Sequence, residues 1–259
     1  MGSTPARRTV RARPVSLREA RPASGSGSVR SAAQAQLDVA ELRIYHITHI
    51  DNLPGILRVG GLLANADEPA GANPAVDISS QDSRETRRAA RIAAHDLSVA
   101  GFVPFFLSPN ASVWDSIRGG HEDPRLTAEA LGYAASEFVI LVSTVRQAIE
   151  ARPGEGTASA TFAVTDGDAT GSLTRFAATR LESERMLRRL RVDEEADAIL
   201  GAEVLICESF PFDRVGLIGV ANDKVREAVK RVLQTAGYKQ KVAVYPPWFQ
   251  SAEETSSPL

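Results

Sequence analysis

The chain has one cysteine, Cys207, among 259 residues, so no disulfide can form within it, and its usage fits a reducing compartment. No apolar run approaches the roughly 20 residues that cross a bilayer. With hydrophobic residues at 43% and charged residues at 24%, the composition is that of a soluble globular protein, expected in the cytoplasm. There is no Gly-rich loop of the P-loop or Rossmann type, so a dinucleotide site here has to be built another way. Histidines are few, and His46, His49, His95, His121 and Cys207 show no zinc-ligand spacing. His46 and His49 lie three apart on a strand and its exit, which sends them toward opposite faces. No metal site is expected. Cys207 lies mid-strand among apolar residues, where a thiol packs as a small hydrophobe and is a poor nucleophile. No internal repeat breaks the chain into units.

The net charge of −2 hides an asymmetry. Residues 1–30 carry seven arginines against Glu19 alone, a charge of +6, which leaves −8 for the remainder. This start is rich in Pro, Ser, Gly and Ala and has little to bury, so residues 1–34 are expected to be a disordered basic extension. Its composition is compatible with a solvated extension, an arm touching nucleic acid, or a transit peptide. Arg7-Arg8 is not followed by the apolar segment that an export signal needs. A folded body is expected over 35–250, with a flexible tail over 251–259. Its acidic balance counts against broad, non-specific binding to DNA, which usually shows as a basic surface.

Within the body, Ile44 to Thr48 alternate as a short strand carrying His46, Asp51 or Asn52 caps a helix on Leu53, Ile56 and Leu57, and Gly60-Gly61 ends it. Ser79-Ser80 caps a helix predicted over 82–98, with Arg84, Arg87, Arg88 and Arg91 on its charged side. Strands are predicted over 102–107, 138–142, 162–164, 201–210, 215–220 and 242–245, and an amphipathic helix over 223–233. Glu203 opens the strand Val204-Leu205-Ile206-Cys207. A carboxylate there is either a solvated rim residue or a charge held in a cleft for a purpose.

The run Tyr45-His46-Ile47-Thr48-His49-Ile50-Asp51-Asn52-Leu53, together with Ala202-Glu203-Val204-Leu205, resembles the DarT family of toxins, which ADP-ribosylate bases in single-stranded DNA. Further matches follow in the family's order: Val103-Pro104-Phe105-Phe106, Ser108-Pro109, Thr165-Asp166-Gly167, Ser209-Phe210-Pro211-Phe212 and Trp248-Phe249. The resemblance covers residues 41–250. It implies a mixed α/β (α+β) ADP-ribosyltransferase fold, two small packed sheets around an NAD cleft with helices outside, and makes 35–250 the catalytic domain.

It also implies the chemistry. Breaking the bond between nicotinamide and ribose develops positive charge on the ribose carbon, which a fixed carboxylate stabilises; that role falls to Glu203. His46 would hold NAD through its ribose hydroxyls, Thr48 would assist by hydrogen bonding, and Phe105, Phe106 and Tyr45 would wall the nicotinamide. The family carries a functional arginine after a Gln-containing segment. Gln81-Asp82-Ser83-Arg84 fits that spacing best, so Arg84 is the expected second catalytic residue, with Arg87 and Arg88 as rivals. NAD is the expected substrate, single-stranded nucleic acid the acceptor with DNA preferred over RNA, and a macrodomain antitoxin the implied partner. Three departures bear on the acceptor: the run Asp193-Glu194-Glu195-Ala196-Asp197-Ala198-Ile199-Leu200-Gly201, acidic and then apolar where the family has a basic and polar loop that meets the DNA, Asp168 where the family often has His, and Asn110 where a basic residue is usual. They keep RNA, a small nucleoside-like molecule or a protein open as acceptors. A non-catalytic NAD-binding module is the reading from a different class.

Overall fold

The computed structural model describes residues 38–65, 73–150, 161–192 and 197–251, with Val192 described by its backbone alone. The basic extension, most of the C-terminal tail and the acidic stretch 193–196 lie outside the described residues.

Twelve strands are described: β1 (Arg43–His49), β2 (Gly61–Leu63), β3 (Arg91–Ile92), β4 (Leu97–Ser98), β5 (Phe102–Phe106), β6 (Phe138–Thr144), β7 (Phe162–Thr165), β8 (Phe176–Ala177), β9 (Glu203–Cys207), β10 (Ser209–Pro211), β11 (Leu217–Val220) and β12 (Lys241–Val244). Eight of them form one sheet in the order β12-β11-β6-β1-β5-β9-β7-β8, antiparallel except for β11 with β12. The mixed α/β class expected from the sequence holds; in place of two small packed sheets these eight strands form one continuous sheet, whose two halves meet at β1 and β5. β1 pairs with β6 along its whole length, whereas it meets β5 through the single partner pair Tyr45 and Phe106. The halves therefore part beyond that point, and the cleft opens where strand pairing stops.

Both faces of the sheet are covered, which is why β6 reads as a continuous apolar run. On one face Ile44, Val139, Leu141 and Val204 pack under α1 (Leu53–Val59) and the later amphipathic helix Asp223–Thr235. On the other, Tyr45, Phe138 and Ile140 pack against Trp114 and Ile117 of the helix Ser112–Gly119. α1 starts with Pro54 in its first turn and stops at Gly60, whose φ of +82° only glycine adopts without strain.

The helix predicted over 82–98 is shorter. α2 spans Gln81–Ala89, capped by Ser80, and the chain then turns into the β3–β4 ribbon. The arginine-rich side of α2 has no fully buried residue, so a longer helix would have kept its Ala-rich continuation at the surface. The turn instead sends Ile92 into a fully buried contact with Phe102, Ala163 and Leu205. His95 Nε2 lies 3.0 Å from the carbonyl of Phe162, and Arg91 binds the Asp96 carboxylate at 2.6 Å. Tertiary burial overrode a good local helix propensity.

Candidate active site

The cleft has a volume of about 460 Å³ and is bounded by β1, β5, the start of β9 and α2. Glu203 stands at the first position of β9, opposite Phe106 of β5, and is 2% exposed. A carboxylate this deep has to be compensated. Its Oε1 accepts from the Ala169 N–H at 3.0 Å, and Arg87 forms a fork on both oxygens, Nη1 to Oε1 at 3.3 Å and Nη2 to Oε2 at 3.1 Å. Its backbone N–H donates to Thr165 Oγ1 at 2.9 Å, and that hydroxyl donates to the Gly167 carbonyl at 2.6 Å. Glu203 is thus a charge held in a cleft.

The arginine on Glu203 is Arg87, one of the two rivals. Arg84, the first choice, lies a turn earlier on α2, where it binds the Asp77 carboxylate and the Ser79 carbonyl and secures the entrance to the helix. Arg88 is exposed. Motif spacing along the chain cannot resolve one helical turn, and that turn decides whether the side chain reaches β9 or the loop before α2.

His46 lines the same cleft from β1. Its Nδ1 lies 2.9 Å from the carbonyl of Pro104 on β5, so it spans the parting of the two half-sheets. A carbonyl only accepts, so Nδ1 carries the proton and Nε2 presents a lone pair. Burial lowers the His46 pKa, and the Pro104 hydrogen bond opposes that shift. The ring is neutral at pH 7. Thr48 is buried on the same wall, where Oγ1 accepts from Asn52 Nδ2 at 3.1 Å; Asn52 in turn pins the backbone of Val76 through two bonds of 2.9 Å.

On β5 the expected aromatic walls divide by strand parity. Phe106 lines the cleft with Phe102 and Pro104, its neighbours on the same side of β5. Phe105 points to the opposite face, where it is fully buried with its ring 4.7 Å from that of Phe210. Tyr45, the cross-strand partner of Phe106, shares its face but is packed away from the cleft, edge-on to Trp248 at 5.6 Å, and burial raises its phenol pKa. Both are core residues and not cleft walls. Alternation along the strand could have told Phe102 and Phe106 from Phe105.

Sequence reasoning gave no sign of Arg125. Its Nη1 binds Asp168 Oδ2 at 3.0 Å, while Nε and Nη2 grip Asp123 at 2.9 and 2.6 Å. The Arg125 guanidinium brings the Asp123 pKa to about 2. Arg125 and Asp168 both line the cleft. Among the described residues, no group of three or more His, Cys, Asp or Glu is placed to hold a metal ion, and no helix is long and apolar enough to cross a membrane.

A sheet parted around a cleft without a phosphate loop, with a neutral histidine on one lip and an arginine-bound glutamate on the other, places the chain among the ADP-ribosyltransferases. Residues 45–250 match the model of a family described as ssDNA thymidine ADP-ribosyltransferase, DarT, and the chain belongs to that family. A DNA ADP-ribosyl transferase of Mycobacterium tuberculosis is 24% identical, over 78% of this chain and 86% of that protein. One from Thermus sp. is 26% identical, over 80% and 95%. The structure of the Thermus sp. 2.9 DarT in complex with ADP-ribosylated ssDNA superposes with a TM-score of 0.65 at 25% identity, covering 81% of this chain and 96% of that one. The Thermus sp. 2.9 DarT in complex with NAD+ gives 0.61 at 24% identity, covering 81% and 98%.

Proposed function

We propose that Glu203 and Arg87 are the catalytic pair with which this member of the DarT family moves ADP-ribose from NAD+ to a thymidine base in single-stranded DNA. The bond from nicotinamide nitrogen to ribose C1′ breaks, and nicotinamide leaves with the electron pair. The ring nitrogen of the base forms the new bond to C1′ and gives up its proton to the Glu203 carboxylate. The Glu203 carboxylate stabilises the positive charge on C1′ between these events. Arg87 orients that carboxylate through its two-point fork. His46 Nε2 accepts from a ribose hydroxyl, and Thr48 and Phe106 complete the donor's wall. The observation that carries this reading is the buried Glu203 carboxylate, held by Arg87 and the Ala169 N–H at the cleft.

We also infer that the activity is that of a toxin, reversed by a macrodomain partner that removes ADP-ribose from the base, and that both act in the cytoplasm, where NAD+ and DNA meet. The test is incubation of the full chain with labelled NAD+ and oligonucleotides that contain or lack thymidine, followed by mass spectrometry. Label on thymidine-containing DNA, lost in Glu203→Gln, is expected. Undiminished label with Glu203→Gln removes the catalytic assignment, and label on protein or RNA alone removes the acceptor.

A further inference from the structure

We propose that Arg125 and Asp168 form a positioning pair that fixes the aim of the Glu203 carboxylate by clamping the turn whose Ala169 N–H binds it. The inference rests on Glu203 being the catalytic carboxylate. Ala169 is the only backbone donor to that carboxylate among the described contacts, so the turn sets where Oε1 sits.

The turn is held at two levels. From within, Asp168 Oδ1 accepts from Thr170 N at 2.8 Å and Thr170 Oγ1 at 2.6 Å, and the Asp168 carbonyl accepts from Gly171 N at 2.9 Å and Thr174 Oγ1 at 2.6 Å. These bonds shape the turn, and Ala169, buried beside Phe102 and Leu205, seats one end of it in the core. From outside, Arg125 Nη1 reaches across the cleft to Asp168 Oδ2 at 3.0 Å. Arg125 is itself immobilised, by Asp123 on two of its nitrogens and by Ser112 Oγ at 3.2 Å from Nη2.

The segment bearing Arg125 is joined to the start of α2. Ser80 N donates to the Arg125 carbonyl at 2.9 Å, Ser80 Oγ to the Pro124 carbonyl at 2.6 Å, and Thr127 N to the Ile78 carbonyl at 3.1 Å. One wall of the cleft, the 77–80 and 123–127 segments together with α2, therefore sends two guanidinium groups to the other. Arg87 grips Glu203 directly, and Arg125 grips the turn that donates to it. Three hydrogen bonds then fix a carboxylate that has a strand backbone on one side and a loop on the other. Loss of the second grip loosens the turn about its buried Ala169 end, and a displacement of the reacting group by about 1 Å costs on the order of 100-fold in rate.

The measurement is steady-state transfer to a thymidine-containing oligonucleotide, with NAD+ and oligonucleotide varied separately. Arg125→Gln and Asp168→Asn each lower kcat roughly 10- to 100-fold and leave both KM values near wild type. Arg125→Lys recovers part of the loss, and the double variant is no slower than the worse single one. A raised KM at retained kcat would make the pair a substrate contact, and multiplying losses would separate the two residues; either overturns the proposal, as do wild-type rates. Asp168→Asn keeps the size of the side chain and its Thr170 bonds, so it remains decisive if Arg125→Gln unfolds. Glu203→Gln assayed alongside separates the two failures. Retained transfer there sinks the catalytic assignment, whereas a dead Glu203→Gln with active Arg125 and Asp168 variants sinks only the positioning pair.

Discussion

Replacing Arg87 by methionine keeps the apolar stem and removes the guanidinium, and it isolates the pair at the centre of the cleft. At the 3.1 Å separation of Nη2 and Oε2, two unit charges attract by about 5 kcal/mol in an effective dielectric near 20. The side chains are 17% and 3% exposed, so solvent screens little of this. Removing one partner of such a pair costs about 3 to 5 kcal/mol, because the other charge stays buried. The Ala169 N–H remains on Glu203, which puts the expectation at the lower end, about 3 kcal/mol. Arg84→Met is the control. Arg84 and its partner Asp77 are 25% and 46% exposed, and an ion pair so screened is worth about 1 kcal/mol or less. Urea unfolding at pH 7.5, with transfer to an oligonucleotide measured on the same preparations, reads both quantities. Arg87→Met loses stability and transfer together, Arg84→Met keeps most of both, and Arg87→Lys falls between, since an ammonium restores charge without the fork. The reasoning fails if Arg84→Met is the more damaging change, or if Arg87→Met unfolds within about 1 kcal/mol of wild type and still transfers.

His46 titrates lower in the folded protein than its ordinary value of 6.5. Above that pH both states hold it neutral; as pH falls below it the unfolded chain takes up the proton first, and stability drops by up to about 1.4 kcal/mol per pH unit. His46→Asn should flatten the unfolding free energy between pH 6.5 and 5.5 relative to wild type, and parallel curves would refute the buried neutral ring. Asp123 moves the other end of the scale, from 3.8 to about 2. Its contribution of about 2 kcal/mol is complete above pH 3.8 and is lost as pH falls toward 2, so Asp123→Asn should destabilise at pH 7 and cost little at pH 2. At Gly61 on the cleft's lip, a Cβ would meet the Phe210 carbonyl oxygen at 2.4 Å. Gly61→Ala is expected to cost about 2 kcal/mol in thermal unfolding, and an unchanged melting temperature would show that β2 and β10 separate freely.

The elements legible in the sequence are those whose pattern is local. β1, β6 and β9 declare themselves by apolar runs, α1 by its apolar face and its glycine stop, and the helix Asp223–Thr235 by its stripe, whereas the Asn52 side chain bonds Thr48 and Val76 and does not cap α1. What was not legible depends on where a chain turns to bury something distant. Ile92 drops out of a helix-favouring stretch because Leu205 and Ala163, far along the chain, leave room for it. Phe105 and Phe106 are adjacent letters with opposite fates: alternation along β5 separates them, and the pairing of β5 with β9 then says which one faces the cleft.

Charge is the property that a linear reading handles worst, because it counts residues and not partners. Asp168 stands where the resemblance leads one to expect His, and taken alone it places a negative charge beside the path of a polyanion. In the folded protein that carboxylate is already bound by Arg125, so the cleft meets an ion pair and not a bare anion. Repulsion of a phosphate by a neutralised pair is small next to the stabilisation gained by holding the turn on Glu203. An acid at position 168 is therefore compatible with a DNA acceptor so long as Arg125 accompanies it. The two residues constrain each other: Arg125→Gln exposes the charge that the sequence seemed to place there, and Asp168→Asn in the same chain removes it again. One carboxylate so exposed is screened at the salt of the transfer assay, so binding of a single-stranded oligonucleotide should stay near wild type in both variants while kcat falls.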